Sequence, residues 1–141
     1  MKSVIRWLVE KAIAPPRCSY NRNKIMNVVT DERKIAYIRE DVDFTTRAGI
    51  NVFGSLYRQD GYPIPSSVMI YSHSMGMNQF EALNLVPYLV TPELALFAFD
   101  YPASGISGGE FIVVDGTGAS VVLDIVEELK NSYKMQKFAN I

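Results

Sequence analysis

The sequence is poor in the residues that usually announce a catalytic centre. It has 141 residues, of which Cys18 is the one cysteine and His73 the one histidine. A lone cysteine excludes an internal disulfide and fits a reducing compartment, so a cytoplasmic location is expected. Neither sign of charge is in excess, with fourteen basic residues against fifteen acidic ones. That balance offers no attraction for nucleic acid or an anionic membrane surface. No apolar run approaches the roughly 20 residues of a transmembrane helix. Internal repeats and low-complexity tracts are missing as well.

What is present is ordinary for one globular unit, with 48% apolar and 21% charged residues. A chain of this length can bury roughly two-thirds of its unfolded surface. Residues 1–16 read as an N-terminal helix. Val4, Leu8 and Ala12 share a face, as do Ile5, Leu8 and Val9, and Pro15-Pro16 ends it. Arg6, Glu10 and Lys11 interrupt any run of signal-peptide length. A helix packed on the domain is the main expectation, and weak membrane-surface attachment the lesser one.

Residues 17–34 are polar and without period, a connecting segment. Ile35 to Phe44 and Asn51 to Tyr57 read as two antiparallel strands, joined at Arg47-Ala48-Gly49 by a link too short for a parallel crossover. Val68 to Tyr71 and Leu94 to Phe99 are unbroken apolar runs, suited to strands buried on both faces. Between them Asn78 to Val90 has helical spacing that Pro87 should kink or end. A last helix is expected from about Ala119 to Tyr133. Its stripe is Val122, Ile125, Val126, Leu129 and Tyr133, with Asp124, Glu127 and Glu128 on a solvated face rather than at a metal. Phe138 to Ile141 reads as the start of a strand. The pattern is that of an α/β protein.

Ser72-His73-Ser74-Met75-Gly76 is one residue away from Gly-x-Ser-x-Gly, the elbow of many serine nucleophiles. Small residues flank Ser74 as an elbow demands, a strand precedes it and a helix follows. A serine nucleophile also needs an imidazole to take its proton and an acid to orient that imidazole. The one histidine is adjacent to Ser74, where it cannot easily fold back as a base. His73 reads as a partly buried loop residue with locally satisfied nitrogens, or as one that shapes the loop through a hydrogen bond.

The stretch "FDYPASGISGGE", residues 99–110, starts the decisive comparison, since Asp100 follows His73 by 27 positions. Asp100, Ser104-Gly105, Ser107 and Gly108-Gly109-Glu110 resemble the Asp-x-x-Gly-x-Gly-x-Ser turn after the fourth strand of α/β-hydrolases, in the serine-aminopeptidase and prolyl-oligopeptidase-like group. In that group a strand ending in His-Gly precedes the turn by the same interval, so "VMIYSHSMG" resembles the loop after the third strand. "APPRCSYN", residues 14–21, resembles the lead-in of the same group.

The resemblance implies residues 17–141 as an incomplete α/β-hydrolase domain, cut before the nucleophile strand. It makes His73, Ser74 and Met75 the oxyanion loop, with the donor amide at Ser74 or Met75. Ser74 stands where glycine is usual. Asp100, Ser104, Gly105, Ser107 and Gly108 become a structural turn, Asp100 bracing it through backbone amides. Gly105 to Gly109 lacks the signatures of a phosphate loop. The nucleophile, acid and catalytic histidine have no counterparts, and no cofactor or metal is implied. An acyl substrate, peptide or ester, belongs to a complete domain only. The third strand, 68–71, would keep one row of amides unpaired, an open edge that invites self-association. Three readings follow: the N-terminal part of a serine hydrolase, inactive alone; a compact hydrolase using Ser74; and a non-catalytic module that pairs its edge with a partner.

Overall fold

The computed structural model describes residues 17–110 and 117–141, together with Val4, Ile5 and Leu8. Most of the expected N-terminal helix lies outside these residues. Val4, Ile5 and Leu8 are helical and each more than half exposed.

Among the described residues six strands form one sheet: β1 Val28–Thr30, β2 Ala36–Thr45, β3 Asn51–Gln59, β4 Ser67–Ser72, β5 Leu94–Phe99 and β6 Lys137–Asn140. Their order across the sheet is β1-β2-β3-β5-β4-β6. β2 and β3 make the expected hairpin, closed by Thr46 N–H on Ile50 O and Gly49 N–H on Thr46 O. β1, which pairs antiparallel with β2, lies in the segment expected to be a connector. Three residues with no alternation left no signal there.

β5 is antiparallel to β3 and parallel to β4, and β6 is parallel to β4. Two helices matter to the packing: α1, Val86–Leu89, and α2, Thr117–Tyr133. Ala95, Phe97 and Phe99 of β5 face a cluster with Val121, Ile125 and Leu129 of α2. Leu96 and Ala98 face the opposite cluster, with Ala82, Val86 and Val90. Both faces of β5 are therefore covered, which is why its sequence is continuously apolar.

Three expectations change. The row of amides on Val68–Tyr71 is not left open, because β6 pairs along it from Ser67↔Lys137 to Ile70↔Asn140. Ile141 extends the pairing, donating to Ile70 O and accepting from Ser72 N–H at 2.9 Å each. Hydrogen bonding to β4 gives this short tail its strand conformation, and among the described residues β6 becomes the edge strand of the sheet. Next, Asn78 to Val90 is no single helix. A 3₁₀ segment, Gln79–Asn84, leads through Leu85 into α1, where Pro87 sits in the first turn and loses no needed hydrogen bond. Finally, Asp124 is not simply solvated. Its side chain is 10% exposed and takes the Arg47 backbone N–H at 3.1 Å and Nε at 2.5 Å.

Candidate functional site

Because β4, β5 and β6 run parallel, their carboxyl ends share one edge, the usual place for ligands in such sheets. The segments after β4 and β5, residues 73–78 and 100–110, meet there and are bonded to each other.

The turn after β5 is built around Asp100, which is fully buried. Its Oδ1 accepts from Gln79 N–H at 2.7 Å, and its Oδ2 from the Tyr20 hydroxyl at 2.6 Å and Ile106 N–H at 3.1 Å. Gly105 lies directly against this carboxylate: with φ +50°, an added Cβ would stand 2.2 Å from it. Ser107 Oγ donates to Asp100 O at 2.8 Å and accepts from Phe53 N–H at 3.0 Å. Gly108 N–H donates to Asn51 O, its carbonyl takes Ala103 N–H, and the Ser104 carbonyl takes Ser107 N–H. Every polar atom of Asp100 is thus spent on holding backbone and lead-in together.

The lead-in closes the turn from outside. Arg17 donates to the carbonyls of Ser107 and Gly109. Tyr20 packs edge-on against Phe80, and Gln79 Nε2 donates to its hydroxyl. Burial, then the hydrogen bond to Asp100 and the charge of that carboxylate, raise the Tyr20 phenol far above its ordinary range. It stays a neutral donor.

His73 is buried and engaged at both ring nitrogens. Nδ1 lies 2.8 Å from Ser74 O and Nε2 accepts Tyr101 N–H at 3.2 Å. A carbonyl on one side and an N–H on the other select the Nδ1–H tautomer. The Tyr101 ring stacks edge-on at 5.4 Å, and its hydroxyl donates to Ser72 Oγ at 3.0 Å. The imidazole joins the two loops and does not face the Ser74 hydroxyl.

Ser74 points elsewhere. Its Oγ donates to Glu81 Oε1 at 3.0 Å and its backbone N–H to Glu81 Oε2 at 2.8 Å. Ser74 is not among the residues with positive φ, so a serine is tolerated where glycine was expected. The left-handed position is Gly76, φ +80°, in a turn closed by Met77 N–H on Ser74 O at 3.0 Å. Met75 stands at the tip, 80% exposed.

Of the two amides expected as oxyanion donors, Ser74 N–H is therefore occupied by a carboxylate. Among the described residues no hydrogen bond is made by Met75 N–H. Glu81 is the residue that sequence reasoning missed. Asn78 caps the 3₁₀ segment by accepting Phe80 N–H, and Glu81 follows at the third position, as in a capping box. The sequence carries that Asn-x-x-Glu pattern, yet Glu81 reaches back to Ser74 instead of to Asn78. The Ser74 amide, followed by the Tyr71 and Ser74 hydroxyls and outweighing partial burial, holds its carboxyl below the ordinary value. Among the described residues no three His, Cys, Asp or Glu side chains converge as metal ligands would.

Comparison with known proteins shows the fold. No family model matches. The chain superposes on an esterase of Pyrococcus furiosus with a TM-score of 0.68 at 20% identity, covering 91% of this chain and 45% of the esterase. The α/β hydrolase GrgF from a Penicillium species gives a TM-score of 0.57 at 24% identity, over 67% of this chain and 32% of that protein. A Drosophila melanogaster protein described as a cytosolic Fe-S cluster assembly factor Nubp2 homolog is 30% identical over 113 residues, 73% of this chain and 41% of that protein. The chain thus spans less than half the length of each of these proteins. Its fold is that of the α/β hydrolases.

Proposed function

We propose that this chain forms the N-terminal portion of a serine hydrolase of the peptidase or esterase kind, and that it has no hydrolytic activity by itself. The carrying observation is the loop after β4. It sits at the carboxyl edge beside β6 and, among the described residues, leaves the Met75 amide without a hydrogen bond and gives Ser74 no imidazole base. His73 is spent on Ser74 O and Tyr101 N–H. Glu81, held below its ordinary value by the Ser74 amide, takes a serine proton poorly, and its charge opposes an alkoxide beside it. A compact hydrolase using Ser74 therefore has little physical support.

In the proposed reaction a serine from sequence outside these 141 residues attacks the acyl carbonyl of a peptide or ester. The loop contributes one N–H to the oxyanion, about 2.7–3.1 Å from the developing charge, and an acyl-enzyme forms and is hydrolysed. No cofactor enters this scheme. A cytoplasmic location accords with the lone cysteine. The cluster-assembly role named for the Drosophila protein is not carried over to this chain, because the match covers 41% of that protein.

Reading the gene beyond codon 141 tests the proposal. An in-frame continuation of β6 into Gly-x-Ser-x-Gly is expected. Ester hydrolysis by the 141-residue chain, lost in Ser74→Ala, would overturn it. The uncovered edge of β6 supports a second reading, a module that pairs this edge with another polypeptide. A defined complex at low concentration, in place of heterogeneous aggregates, would favour it.

A further inference from the structure

We propose that Glu81 is the positioning residue of the loop after β4, engaging Ser74 so that the Met75 amide becomes its open donor. The inference rests on the reading of that loop as transition-state support, and adds to it which residue sets the geometry. Three donors converge on one carboxylate: Ser74 N–H at 2.8 Å, Ser74 Oγ at 3.0 Å and the Tyr71 hydroxyl at 2.8 Å. They come from β4 and the loop itself, while Glu81 stands on the 3₁₀ segment that follows. The carboxylate thus spans the turn at its base, and the Gly76 turn closes it at the tip.

An amide already donating to a carboxylate is a poor partner for a second anion. It would have to exchange one acceptor for the other as charge develops, and gains little by doing so. The next amide along the chain, at Met75, has no such competitor among the described residues. A donor held by rigid neighbours with its own hydrogen unspent is what electrostatic stabilisation needs. Glu81 touches no reacting atom in this scheme and acts through Ser74. Tyr71 and His73 are the titratable groups that face it from β4 and the loop.

Amide hydrogen exchange on the isotopically labelled 141-residue chain tests this, with Glu81→Ala, Glu81→Gln and Tyr71→Phe beside the parent. In the parent, corrected for intrinsic rates, Ser74 N–H should exchange at least about tenfold more slowly than Met75 N–H. Glu81→Ala should abolish that difference and move the Ser74 and Met75 resonances, leaving the sheet amides unchanged. Glu81→Gln, whose carbonyl still accepts from Ser74, should restore most of the protection. Ser74 exchanging as fast as Met75 in the parent, a protected Met75, or an unaltered loop in Glu81→Ala would each overturn the inference. If Glu81→Ala does not fold, the parent and the other two variants decide, since Tyr71→Phe should lower Ser74 protection partially. Serine-directed labelling of Ser74 would refute the hydrolase reading instead, whatever the exchange rates show.

Discussion

Two glycines of the site region separate backbone strain from steric exclusion. Gly76 and Gly105 both have positive φ, +80° and +50°. An alanine at either position carries the left-handed penalty of about 1–2 kcal/mol. At Gly76 nothing stands within 4 Å of the added carbon, so that penalty is the whole cost. At Gly105 the carbon would lie 2.2 Å from the Asp100 carboxylate, which is fully buried and cannot swing into solvent. Moving it releases Gln79 N–H, Ile106 N–H and the Tyr20 hydroxyl, each left unsatisfied at about 1–3 kcal/mol. Gly105→Ala should therefore cost at least about 3 kcal/mol more than Gly76→Ala, a large share of the 5–15 kcal/mol typical of a domain. Urea unfolding followed by far-UV circular dichroism measures both. With a slope of about 1–3 kcal/mol per molar, Gly76→Ala should lower the midpoint by roughly 0.3–2 M. Gly105→Ala should lower it far more or leave no folded baseline. Equal losses would refute the idea that Asp100 is pinned.

Further outcomes can be stated in the same terms. Tyr20→Phe removes a hydrogen bond to a carboxylate and should cost about 1.5–3 kcal/mol in the same assay. Ser74→Ala removes the Oγ–Glu81 bond at an exposed position and should cost about 1 kcal/mol or less, with the fold retained. Because the carboxyl of Glu81 is depressed on folding, its contribution is complete above the ordinary glutamate value of 4.5 and is lost as pH falls through the folded value. Ser74 amide protection should accordingly hold at neutral pH and weaken only below that value, the protonated carboxyl keeping a carbonyl acceptor as Glu81→Gln does; loss between pH 6 and 7 would contradict the assignment. The bare edge of β6 should make the isolated chain associate with rising concentration in sedimentation velocity, whereas a strict monomer throughout would remove that expectation.

The sheet was legible where burial imposed a pattern. β5 had to be apolar on both faces, and the hairpin β2–β3 was announced by its short polar turn. β6 was half visible: Phe138 to Ile141 had strand character, but its partner lies about seventy residues away in β4 and nothing local names it. The stripe of α2 was legible, with Ile125 and Leu129 buried and Val122, Val126 and Tyr133 packed against the same cluster; only Val121, which joins the deepest row, was missed. Long-range polar contacts were the least legible. Asp100 was expected to brace backbone, and its turn residues Ser107 and Gly105 crowd it, but its bonds to Tyr20 and Gln79 come from distant segments. Glu81 was not legible at all, because the sequence does not show a loop folding back over seven residues to meet it.

Among the described residues no helix is long and apolar enough to cross a membrane; the most direct test of the chain's role is chemical. That test is incubation of the purified chain with a fluorophosphonate, followed by intact mass and peptide mapping. The account predicts an unmodified mass, since the one imidazole joins two loops and the Ser74 hydroxyl faces a carboxylate. A stoichiometric adduct on Ser74 would contradict it.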